Sequence, residues 1–128
     1  MISSKFFFLL FLIGSSIGIL EYFGVFYDLF WILPWYDRVL HVLGGIFVAL
    51  ILSLFIPQEA LPKKFFSAKF FLSFFATMLV ALFWEWYELR TGVTFVSRGG
   101  YKIDAISDIF FALIGFVGTY HLLQKNSS

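Results

Sequence analysis

Three pairs of side chains in this sequence are spaced so that they can act together. Asp37 and His41 are four residues apart, Glu85 and Glu88 three, and Asp104 and Asp108 four. On an α-helix, residues at i, i+3 and i, i+4 share a face, so each pair aims two donors one way. Carboxylates with a single imidazole suit an oxygen-preferring or borderline divalent ion: Mg, Mn, Zn or ferrous iron. That chemistry makes Asp37, His41, Glu85, Asp104 and Asp108 candidate metal ligands, with Glu88 as a candidate catalytic general base beside them. Arg38, Arg90 and Arg98 are candidates to hold an anionic substrate group such as a phosphate. Ser107 and Thr91 stand near the pairs, but no nucleophile elbow or oxyanion signal supports Ser–His–Asp catalysis.

A plainer reading stands beside this one. Asp37, Glu88 and Asp104 also suit solvated helix ends, and the two aspartates lie near helix N-termini, where the macrodipole favours acids. His41 and Asp108 lie about one turn deeper than Asp37 and Asp104, at ~1.5 Å rise per residue, and that reading accounts for them and for Glu85 less well. Glu21 is equally open to both readings. His121, at the opposite end, reads as an interfacial histidine.

The elements that must position these residues are apolar. The chain has 128 residues, 61% hydrophobic and 13% charged, with a mean hydropathy of +0.93. A soluble domain is about half apolar and a quarter charged. Apolar segments run over about 6–22, 36–56, 65–89 and 103–123, each near the ~20 residues that cross ~30 Å of hydrocarbon. The expected fold is all-α: a single transmembrane domain over 1–128, built as a four-helix bundle with a short aromatic connector (24–35) between the first two helices. Pro57 to Lys64 reads as a polar turn with two helix breakers, and Thr91 to Lys102 as a loop. The start, Met1 to Lys5 before an apolar run, resembles a signal peptide, but hydrophobicity continues through Gly24-Val25-Phe26, which favours a retained helix. Gly14 and Gly18 form a GxxxG at which a neighbouring helix is expected to pack. The absence of cysteine excludes disulfides and zinc–thiolate sites. A formal charge of +1 without a basic stripe excludes nucleic acid as a partner.

Four alternating spans sort the charges by side. Seven of the eight acids, all but Glu59, fall at one end, with all four Trp and five of the six Tyr. Trp and Tyr favour the headgroup level. The other end carries Lys5, Lys63, Lys64, Lys69 and Lys125, against Arg38, Arg90, Arg98 and Lys102 at the acidic end. Arg38 and Arg90 stand beside acids expected to neutralise them. The positive-inside rule then places both termini in the cytoplasm and the acidic end outside.

Tyr36-Asp37-Arg38-Val39-Leu40-His41-Val42-Leu43-Gly44-Gly45, then Trp84-Glu85-Trp86-Tyr87-Glu88, then Asp104-Ala105-Ile106-Ser107-Asp108 through Gly115 resemble the YjdF-type bacterial inner-membrane proteins, which are similar in turn to VanZ-like membrane proteins. The resemblance spans roughly Trp35 to Gly118. It implies a multi-pass protein of the bacterial inner (cytoplasmic) membrane whose biochemical role is undefined. Members with additional N-terminal spans are common, whereas here one span precedes the Asp-Arg motif.

Three functions compete. The leading one is a membrane protein with an acidic/His site at one end of the bundle, binding a divalent metal and acting on or recognising a lipid or envelope component. The second is a proton or cation transport component, since intramembrane acids mark such paths; no matching acids continue along the helices. The third is a structural or accessory membrane protein, with Gly44-Gly45 and Gly115/Gly118 as close-approach surfaces and helix-mediated homo-oligomers as a possible assembly. Whether the chain is an enzyme is left open by the sequence.

Overall fold

A computed structural model describes residues 4–55, 67–92 and 100–126 of the chain. The described residues are almost all helical, in α1 (Ser4–Phe26), α2 (Leu29–Ile32), α3 (Tyr36–Phe55), α4 (Ala68–Thr91) and α5 (Tyr101–Asn126). Four of these, all but α2, are long and apolar enough to cross a membrane. The expected four-span, all-α architecture holds among the described residues. The turn expected over Pro57 to Lys64, with Glu59, and most of the loop that carries Arg98 lie outside them.

The helix ends follow local chemistry. α4 begins where the Ser67 hydroxyl accepts a hydrogen bond from the Phe70 amide at 3.2 Å, a side-chain N-cap. It ends at Gly92, whose φ of 69° closes the last turn. α1 runs four residues past the expected end at Tyr22, and Gly24 in that extension lies against the Phe30 and Tyr36 rings, where a Cβ would collide with them. The connector is therefore shorter than expected, and part of it coils into α2. Phe30 of α2 and Tyr36 and Leu40 of α3 form a small core, with the Phe30 and Tyr36 rings edge-to-face. The Tyr36 hydroxyl donates to the Leu20 carbonyl at 2.6 Å, tying α1 to α3.

In lipid no hydrophobic force drives helix against helix, so contacts depend on close packing and on small residues at the interface. α3 and α5 form the most extensive contact. They run parallel with a constant register: His41 lies beside Asp108, Gly45 against Ala112, and Ala49 shares a core cluster with Phe116. Steps of four keep all three contacts on one face of each helix. A Cβ on Gly45 would run into the Ala112 carbonyl, and one on Gly115 into the Val42 carbonyl. α4 joins this pair through Phe70, which packs with Phe116 and Tyr120. α1 is peripheral. Gly24 is its one buried residue among those described, and it leans on α3 while barely meeting α4. Phe8, Phe11, Leu72, Leu79, Phe83 and Ile106 are exposed, as lipid-facing side chains should be.

Of the four glycines expected at close approaches in α3 and α5, Gly45 and Gly115 meet backbone, whereas Gly44 and Gly118 face open space. The GxxxG in α1 is likewise split. Gly14 lies under the Phe47 ring and Gly18 meets nothing, so no backbone packs along that motif.

Candidate functional site

The parallel α3–α5 register and the antiparallel return of α4 bring the start of α3, the end of α4 and the start of α5 to one end of the bundle. Asp37, His41, Glu85, Glu88 and Asp108 are all buried there, each 6% exposed or less. His41 is the hub. Its Nε2 lies 3.5 Å from Asp37 Oδ1, 3.5 Å from Glu85 Oε1 and 3.9 Å from Asp108 Oδ2. These distances exceed those of good N–H···O hydrogen bonds, ~2.7–3.2 Å. Accordingly His41 Nε2 and Glu85 Oε1 are buried without a hydrogen-bond partner, and so is Glu88 Oε2. Two triads, Asp37/His41/Asp108 and His41/Glu85/Glu88, each place three donor atoms within 4.8 Å of one another.

The surroundings fix these side chains in place. Glu88 Oε1 accepts from the Trp84 indole N–H at 2.9 Å, one turn earlier on the same face of α4. The Tyr101 hydroxyl donates to the Glu85 carbonyl at 3.3 Å, holding the start of α5 against α4. Thr91 donates back to the Tyr87 carbonyl of its own helix at 2.9 Å and is exposed. A cavity of about 290 Å³ adjoins the cluster, lined by Glu21, Asp37 and His41 at one end and by Phe47, Val48 and Thr77 further along.

The structure brings together five of the sequence-derived candidates and leaves others apart. Asp104 is half-buried and belongs to neither triad. Arg38 and Arg90 are exposed. Arg38 lies over the Phe111 ring and Arg90 over Trp86, each 5.8 Å from the centroid. Such contacts are cation–π interactions. The ion pairs expected between these arginines and neighbouring acids do not form among the described residues. Arg98 lies outside the described residues. Trp84 was legible only as an interfacial aromatic, yet it both bonds Glu88 and lines the cavity; its i, i+4 spacing to Glu88 was the available signal. Glu21, ambiguous in sequence, lines the cavity with Asp37 and His41.

Chemically, four buried carboxylates around one imidazole must be neutralised by bound protons or by compensating positive charge, because isolated ions are costly to bury. No Lys or Arg among the described residues pairs with them. A divalent ion fits the donor set. Ligands ~2.1 Å from a tetrahedral ion sit roughly 3.4 Å from one another, close to the spacing around His41 Nε2.

These features define a multi-pass helical membrane protein with a buried carboxylate–histidine cluster at one end of its bundle. The chain belongs to the family of predicted membrane proteins DUF2238, whose profile matches residues 2–124. No curated protein and no solved structure matches it.

Proposed function

We propose that the cluster holds one divalent cation, and that the protein uses this centre to act on or recognise a lipid or other envelope component. Asp37, His41, Glu85 and Asp108 are the ligands in this reading. Glu88, held by Trp84, is the adjacent general base. Asp104, one turn before Asp108, contributes through its charge. Mg, Mn, Zn and Fe all suit a set with one nitrogen and several oxygen donors. The single observation that carries the reading is the position of His41 Nε2, buried without a hydrogen bond and flanked by three carboxylates at 3.5, 3.5 and 3.9 Å.

The resemblance to YjdF-type proteins, and through them to VanZ-like ones, supports the bacterial inner membrane as the location. The lysine excess at the other end supports cytoplasmic termini, with the cluster at the outer face. Transport fits less well: on the far side of the cluster the core is closed by Phe70, Phe116 and Tyr120, with Phe116 fully buried.

Elemental analysis of detergent-purified protein tests the proposal. The expected result is about one divalent ion per chain, lost in His41→Ala and in Asp108→Asn. Metal-replete protein without stoichiometric ion sinks the reading. If those variants lose thermal stability alone, the cluster is a structural element of a non-enzymatic protein.

A further inference from the structure

The cavity beside the cluster has a shape and a polarity that specify an occupant. It runs along α3 from Asp37 to Val48, about 16 Å at 1.5 Å per residue. That is about the depth of one leaflet, half of the ~30 Å hydrocarbon core. Its ionisable lining, Glu21, Asp37 and His41, lies wholly at the cluster end; the remainder of the lining is apolar or small, with Thr77 the deep exception. The groove lies between α1 and α4, the helices that barely meet. Val80 and Trp84 on its α4 wall are 49% and 37% exposed, so it opens sideways into the membrane.

Its length and its divided lining point to the occupant. A volume of 290 Å³ drawn out along about 16 Å suits a slender, extended occupant such as one hydrocarbon chain.

We propose that this groove receives a single hydrocarbon chain of a membrane lipid entering laterally from the leaflet, with the lipid's polar head brought against Glu21, Asp37 and His41. The proposal rests on the lipid-directed reading above and narrows its substrate class to a bilayer lipid bound chain-first. Among the described residues no Arg or Lys lines the groove, so an anionic head meets this acidic wall best together with a cation, whereas an ammonium head pairs with it directly.

Gly44 supplies the test. It lines the groove, and a Cβ added there meets nothing within 4 Å. Gly44→Leu and Gly44→Phe therefore fill the groove without touching the α3–α5 contact. Gly18→Phe, also in open space but outside the groove, is the control. The full chain is reconstituted in phosphatidylethanolamine–phosphatidylglycerol bilayers that contain a little phosphatidylethanolamine with a diazirine midway along one acyl chain. Photolysis and peptide mass spectrometry then map the label. The expected result is several-fold enrichment on Phe47, Val48 and Val80 over the lipid-facing Leu72 and Leu79. Either Gly44 variant removes the enrichment and Gly18→Phe does not, with unfolding temperatures unchanged. Even labelling of wild-type protein overturns the proposal, whether or not a Gly44 variant folds. So does a groove shielded from label in a preparation whose mass reports a second copy. Metal content of the same samples separates the two proposals: ion-replete protein that labels evenly refutes the groove alone, and ion-free protein that labels in the groove supports the groove and removes the metal.

Discussion

Gly45 on α3 and Gly115 on α5 answer each other across the helix interface: a Cβ on either would run into a carbonyl group of the facing helix, that of Ala112 or that of Val42. This mutual approach holds the two helices in the register that puts Asp108 beside His41, one turn away from the Gly45–Ala112 contact. The site is thus a consequence of two missing side chains.

Replacing either glycine should force the helices apart. Gly45→Ala and Gly115→Ala are each expected to cost about 1–3 kcal/mol, the usual range for overpacking a tight contact. Gly44→Ala and Gly118→Ala, which meet open space, should be near neutral. Thermal unfolding in detergent compares the four. Equal losses in both pairs would show that α3 and α5 do not pack as described.

Chelator-stripped protein should regain stability when a divalent ion is added. At 100 times the dissociation constant, an ion bound only by the folded state contributes about 2.7 kcal/mol. The gain should vanish in His41→Ala. A melting temperature indifferent to every divalent ion tried would remove the basis for the metal reading.

Trp84→Phe deletes the indole N–H that donates to Glu88 and leaves that carboxylate with both oxygens buried and unpartnered. A cost of about 1–3 kcal/mol is expected for the unsatisfied group. Glu88→Met should recover most of it in the double variant, since the orphaned acceptor is then gone. A double-mutant cycle in unfolding free energy reads the coupling, and strict additivity would mean the 2.9 Å bond does not form.

Arg38 and Arg90 rest on aromatic rings at the periphery. Arg38→Ala and Arg90→Ala should each cost about 0.5–1 kcal/mol, as for exposed cation–π pairs, and leave metal content as in wild type. Asp37→Asn should reduce metal content. Loss of ion in the arginine variants would bring them into the site after all.

Tyr36→Phe should loosen α1 alone. The lost hydroxyl bond to Leu20, 2.6 Å long, is worth about 0.5–1.5 kcal/mol. Amide exchange is expected to rise over 20–26 and stay unchanged in α5. A uniform rise would mean that α1 is integral to the core.

Much of this was written in the chain itself. Composition and span length determine a membrane protein with four apolar helices, because lipid covers so much apolar side chain and helices pair every backbone polar group within it. The helical period determines that Asp37 shares a face with His41, Glu85 with Glu88, and Asp104 with Asp108, and chain alternation determines that all three faces lie at one end. What these patterns leave undecided is how far each helix turns about its own axis. In water that rotation is read from which face is apolar; in lipid both faces are, so hydropathy carries no such signal. Backbone contact at Gly45 and Gly115 sets the rotation instead. Only the tertiary structure therefore decided that Asp108 points to His41 while Asp104 stands aside, that Trp84 serves Glu88, that both described arginines face outward, and that Gly44 borders an open groove while its neighbour Gly45 closes a helix pair.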